Sequence, residues 1–117
     1  MPIDEMSGAA LDALAATSVM GWHSEKDYWT DGGKWAIASK FNWKPSSGKK
    51  LSAAASDVLL KALGDGWIIG IHGPIPLADF YRVSIRHEGG NIIIGRGTTL
   101  PLALVRVICK AKEVKHE

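Results

Sequence analysis

Apolar and polar positions recur along this chain with two periods, first of about three and a half residues and later of two. Met6, Ala10, Ala13, Leu14 and Thr17 fall at three- and four-residue steps, which predicts a helix over about 4–20 with one buried stripe. Asp4 and Glu5 stand in its first turn, where the helix dipole favours acids. Gly21 stands where a left-handed residue would close it. Tyr28, Trp29 and Thr30, then 34–37, with Asp31-Gly32-Gly33 between them, read as a β-hairpin. Pro45, Ser46, Ser47 and Gly48 make 44–50 a loop. A second helix then runs to Leu63, capped by Ser52 or, from an earlier start, by Ser46 or Ser47. Its apolar face is Ala55, Val58, Leu59, Ala62 and Leu63, and Gly64-Asp65-Gly66 stops it.

Beyond that point the pattern becomes one of strands. Residues 67–71 are continuously apolar, the mark of a strand covered on both faces. His72-Gly73-Pro74-Ile75-Pro76 is expected to leave the sheet, because two prolines cannot sit in a central ladder. Over 80–87, Tyr81, Val83 and Ile85 point one way and Arg82, Ser84 and Arg86 the other. Glu88-Gly89-Gly90 turns the chain, and 91–94 returns, again apolar on both faces. Thr98 or Thr99 caps a last helix, and Pro101 is tolerated in its first turn. Leu100, Ala103, Leu104, Val107, Ile108 and Ala111 form its stripe, with Lys110, Lys112 and Lys115 near its negative end. A sheet apolar on both faces needs helices on both faces. The predicted fold is therefore an α/β three-layer helix/sheet/helix sandwich with a mainly antiparallel sheet. At 117 residues one domain, 1–117, is the default.

Three short motifs resemble the phage ABA-sandwich domain family. They are Val19-Met20-Gly21-Trp22 closing the first helix, Trp43-Lys44-Pro45-Ser46 before an alanine-rich helix, and Thr99-Leu100-Pro101-Leu102-Ala103 opening a helix that ends Cys109-Lys110-Ala111. The likeness spans nearly the whole chain in the same order. It implies a phage or prophage origin and a helix/sheet/helix sandwich, and no catalytic residues, since the family has no assigned chemistry. The chain departs from the pattern between Ser46 and Ala53, which is longer here, and at Ser56, where members often carry tryptophan. The shared motifs are caps and core, so they carry fold over more safely than function.

Composition narrows the partners. Hydrophobic residues make up 46% and charged residues 22%, as in an ordinary globular domain, which argues against disorder. No apolar run reaches the roughly 18 residues of a membrane span, and the acidic start Met1-Pro2-Ile3-Asp4-Glu5 lacks a signal peptide's basic region. Cys109 is the only cysteine, so no internal disulfide and no cysteine-based zinc site can form. A reducing compartment, the host cytoplasm, is expected. The formal charge of +2 is too small to argue for nucleic acid, but it is unevenly spread. From Asp4 to Asp31 there are six acids and one base; from Lys34 to Lys50 there are five lysines and no acid. That segment reads first as solvated loop and second as an anion-binding surface, because Trp35, Phe41 and Trp43 interleave with its lysines.

The candidate ligand-binding residues are Arg82, Ser84, Arg86, Arg96, Thr98, Thr99, His72, Trp35 and Trp43. Gly95-Arg96-Gly97-Thr98-Thr99 joins a strand to a helix N-terminus, which suits a phosphate, although a tight turn with a capped helix weighs more. Arg82, Ser84 and Arg86 are either a solvated edge-strand face or, on a face without helices, a recognition patch for phosphates or carboxylates. Trp22 and Trp67 are expected in the core; Trp29, Trp35 and Trp43 either cover it or stack on a ligand. His23, His72, His87 and His116 lack paired metal-ligand spacing, so neither metal nor cofactor is expected. Asp65 and Asp79 read as turn formers, and Cys109 as a core residue. Deaminase, Ser-elbow, Walker and paired-carboxylate patterns are absent. The expected function is that of a small phage-encoded accessory protein acting by binding: an inhibitor of host antiviral defence that sequesters an anionic, nucleotide-like ligand or blocks a host protein. It is expected to need no membrane and to be able to form homo-oligomers. The alternatives are an enzyme acting on a nucleotide and a nucleic-acid-binding module built on 34–50.

Overall fold

The computed structural model describes residues 2–33, 35–75 and 80–115, so the sequence readings at Lys34, Pro76, Asp79 and His116 lie outside the described residues. A 3-10 turn, Ile3–Glu5, precedes α1 (Gly8–Leu14). The first helix thus starts later than its periodicity suggests, after an extended Ser7. It then widens into a π turn, Ala15–Val19, in which Met20 N–H reaches back five residues to the Ala15 carbonyl at 3.1 Å. Gly21, at φ +72, ends it. The buried face is Leu11, Asp12, Ala15, Ala16 and Val19, whereas Ala10 and Thr17 are exposed. The expected stripe was phased on Met6, which precedes the helix; Leu11 sets the true phase.

A small antiparallel sheet follows, in the order β1 (His23–Ser24), β2 (Tyr28–Thr30), β3 (Ala38–Ser39). The strand expected at 34–37 lies further on: Trp29 pairs with Ala38 and Tyr28 with Ser39. Local bonds explain the longer link, because Gly32 N–H donates to Thr30 Oγ1 and Gly33 N–H to Asp31 Oδ1. α2 (Ala53–Gly64) starts at Ser52, whose hydroxyl accepts from Ala55 N–H at 3.1 Å. It buries Ala54, Ala55, Val58 and Ala62 and leaves Leu63 exposed. Asp65 is more than a turn former: it closes α2 and pairs with Lys112 at 2.8 Å and Lys61 at 3.7 Å.

The larger sheet is antiparallel, in the order β4 (Ile68–Ile75), β5 (Phe80–Arg86), β6 (Ile93–Gly97). Two expectations fail here. His72 to Ile75 stays in the ladder, with a bulge before Ile75; β4 is an edge strand, and an edge tolerates proline. Nor is β4 or β6 covered on both faces, since Ile68 and Ile71 of β4 and Ile94 of β6 are exposed.

α3 (Leu100–Lys115) packs on β5 and β6. It approaches β6 closely because Gly95 and Gly97 face it. A Cβ on Gly95 would lie 2.7 Å from Val107 Cβ, and one on Gly97 2.7 Å from Ala103 N. α1, the π turn and α2 pack against α3. Helix thus lies on helix, and Val105 and Cys109 are buried along with Leu104, Val107 and Ile108. The fold is mixed α/β with antiparallel sheets. The expected helix/sheet/helix layering is not what these contacts describe: among the described residues the helices stand on one face of the larger sheet. Its other face carries exposed Ile68, Arg86, Ile94 and Arg96. No helix of the described residues is long and apolar enough to cross a membrane.

Candidate functional site

Alternation along β5 sends Val83 and Ile85 into the core and Arg82, Ser84 and Arg86 to the uncovered face. The register sets their neighbours. His72 on β4 pairs with Arg82, and Arg82 pairs with Arg96 on β6, so the three form one row across the sheet. Gly70, Ser84 and Ile94 form the next row, and Ile68 pairs with Arg86 beyond it. Adjacent strands are about 4.8 Å apart, and Arg86 lies about 13 Å along β5 from Arg82. A Cβ at Gly70 would meet Ser84 Oγ at 2.9 Å and His72 Nε2 at 3.5 Å, so hydroxyl and imidazole converge there.

Two like charges directly opposite on a sheet are unfavourable. Arg82 and Arg96 stand so, and among the described residues no carboxylate pairs with either, or with Arg86. The Arg96 guanidinium carbon lies 5.9 Å over the Phe80 ring. An unneutralised arginine row is suited to an anion, since planar guanidinium groups match phosphate and carboxylate oxygens.

The row runs on to the β6 edge. There a cavity of about 370 Å³ is lined by Asp4, Ile94, Arg96, Arg106 and Lys110. Arg106 donates to the carbonyls of Arg96 and Met6, both at 2.9 Å. Lys110 donates to the Ile94 carbonyl at 2.8 Å and to both oxygens of Asp4 at 3.1 Å. These side chains occupy outward carbonyls of the edge strand and so blunt further pairing. The structural roles of Arg106 and of Lys110 beyond the helix dipole escaped the sequence, because no local pattern marks a side chain that bonds a neighbouring strand's backbone.

The other expected residues do not join this row. Gly95-Arg96-Gly97 belongs to a strand, not to a phosphate-cradling loop, and its glycines serve helix packing. Thr99 is the cap, its hydroxyl accepting from Leu102 N–H at 3.4 Å; Thr98 is exposed beside it. Trp35 is 83% exposed in the link between β2 and β3, while Trp43 is buried against Trp22, with ring centroids 4.8 Å apart. Burial pushes the Cys109 thiol up to about 12, with Glu113 and Asp12 adding to it, which leaves it protonated and unsuited to nucleophilic attack. No group of three His, Cys, Asp or Glu side chains among the described residues could hold a metal ion.

Asp12 was hidden in the sequence as one more acid of an acidic stretch. It is 7% exposed, and its Oδ1 accepts from Ser46 N–H at 2.8 Å, which pins the 44–50 loop to α1. Burial holds its carboxyl above the usual range, opposed by the bonds from Ser46 and by the charge of Lys44. Its place on the phase of Leu11, Ala15 and Ala16 was the available clue.

No protein-family model and no curated protein sequence matches this chain. Among solved structures, a phage protein from Bacillus cereus ATCC 14579 is similar, at 17% identity and a TM-score of 0.68 over 89% of this chain and 90% of that one. Likeness at that identity is likeness of fold, and this chain therefore has a fold found in a phage protein.

Proposed function

We propose that this chain is a phage-encoded accessory protein that acts by binding, and that its uncovered sheet face takes up an anionic partner. The observation that carries this reading is the His72–Arg82–Arg96 row, with two opposed arginines and no described carboxylate to neutralise them. Two or three strands' width suits a dinucleotide-sized ligand or an acidic protein surface better than one phosphate. Sequestering such a nucleotide, or blocking an acidic host protein, would counter a host antiviral defence. The phage origin rests on the three sequence motifs and on the shared fold.

Calorimetric titration with the 5′-phosphorylated dinucleotide pApA tests the reading. Arg82→Ala and Arg96→Ala should each weaken binding about tenfold, typical of losing a charge-assisted hydrogen bond of about 1.5 kcal/mol. Unchanged affinity in both contradicts it. Recovery of intact pApA after incubation and heat release separates a binder from an enzyme. A nucleic-acid-binding module is the second reading, favoured by Trp35 and Phe41, 83% and 79% exposed within the lysine-rich segment. Steep loss of single-strand binding with salt, abolished by Trp35→Ala and Phe41→Ala, would identify it.

A further inference from the structure

A second cavity, of about 450 Å³, is walled by α1, β1, β2 and the 40–47 segment, and shares no residue with the arginine row. Its size falls in the range of roughly 300–1,000 Å³ of small-molecule sites, which pair apolar walls with a few convergent polar groups. Trp29 and Trp43 supply indole walls, and Ala9 and Ala13 a flat helical one. The charged groups are Asp12, Lys40 and Lys44, with the hydroxyls of Ser24 and Ser47 beside them. Asp12 is buried and offers only acceptors when ionised; Oδ1 accepts from Ser46 N–H and the Ser46 hydroxyl also bears on the carboxyl, which leaves its remaining lone pairs for further donors. Lys40 is held in place: its ammonium donates to Ser24 Oγ and the Glu25 carbonyl and lies 4.7 Å over the Trp29 ring. Lys44 is exposed, 5.1 Å over the Phe41 ring. Neither lysine pairs with a carboxylate among the described residues.

A ligand that satisfies these groups is planar, presents N–H donors at one edge and carries an anion on a short tether. We propose that this cavity binds a guanine nucleotide, the base lying against Trp29 and Trp43 with its N–H edge on Asp12 and the phosphate meeting Lys40 and Lys44. Guanine places a ring N–H beside an exocyclic amino group, two adjacent donors for one carboxylate; adenine has no such pair. Bases elsewhere are held by this combination of aromatic stacking and hydrogen bonding at the Watson–Crick edge.

Calorimetry and tryptophan fluorescence with guanosine 5′-monophosphate, guanosine, adenosine 5′-monophosphate and inorganic phosphate provide the test. The monophosphate of guanosine should bind the wild type at least tenfold more tightly than that of adenosine, and inorganic phosphate alone more weakly still. Asp12→Asn keeps an acceptor for Ser46 N–H but turns an N–H group toward the base, and should weaken guanosine monophosphate at least tenfold. Lys44→Ala, at an exposed position that leaves the fold intact, should weaken the monophosphate severalfold and leave guanosine unchanged. Arg82→Ala should change neither. Absence of guanosine monophosphate binding at millimolar concentration overturns the proposal, as does equal affinity for the adenine nucleotide. So does affinity that survives Asp12→Asn and Lys44→Ala. Affinity lost in Arg82→Ala alone would also overturn it, while leaving the proposed function of the arginine row standing.

Discussion

Replacing Gly95 with alanine should separate the last helix from the sheet. The added Cβ would lie 2.7, 2.8 and 2.9 Å from Val107 Cβ, N and Cα. Carbon atoms in contact sit about 3.5–4.0 Å apart, so α3 must retreat by about 1 Å. Two of the three opposing atoms are backbone of a helix buried on both sides, and they cannot swing away as a side-chain tip can. Overpacking of this kind costs about 1–3 kcal/mol, and a rigid opponent puts the cost near the upper end. For a domain of this size that is a fall in Tm of roughly 10 °C. Gly64→Ala is the control: it adds the same methyl group at the end of α2, with nothing within 4 Å, and should leave Tm unchanged or raise it by up to about 4 °C, never lower it. Thermal unfolding followed by circular dichroism measures both. Equal melting of Gly95→Ala and wild type would refute direct packing of α3 on β6, and with it the assignment of an uncovered opposite face.

Leu104 is fully buried in the central helix, so Leu104→Ala should cost about 2–5 kcal/mol in urea unfolding; a change under about 1 kcal/mol would make α3 peripheral. Asp12 has a carboxyl pKa raised by burial, so the folded state holds its proton more tightly than the unfolded chain. Its ionisation therefore costs stability as pH rises through the folded value. Asp12→Asn should melt higher than wild type at pH 7, with the gap closing as pH falls towards 4; a less stable variant at pH 7 would reverse the sign. Cys109, with its thiol pushed up to about 12, should react with a thiol reagent only on unfolding, and rapid labelling of the native protein would contradict its burial.

How much was legible before the fold was known follows from how local each cause is. Gly21 and Ser52 act on the turns beside them, and both sit where their chemistry predicts. The alternation from Tyr81 to Arg86 likewise survives in β5. Errors arise where neighbours decide. Residues 67–71 and 91–94 read as covered on both faces because an apolar run does not tell a central strand from an edge one. Gly95 and Gly97 read first as a tight turn and second as a phosphate loop, but glycine serves equally where a helix must come close, and only Val107 and Ala103 reveal that use. The same holds for the candidate site. Arg82 and Arg86 were visible on one strand face, but their pairing with Arg96 and His72 depends on register, and their exposure on which face α3 occupies. Asp12 needed both the helix phase and a loop 34 residues away.

The most direct test of the anion-binding account is a titration of isotope-labelled protein with pApA, followed by backbone amide chemical shifts. The account predicts that the largest shifts fall on His72, Arg82, Ser84 and Arg96, with smaller ones at Arg86, and that Arg82→Ala and Arg96→Ala each move the titration midpoint to about tenfold higher dinucleotide. Shifts confined to 35–50, or none at millimolar dinucleotide, would contradict it.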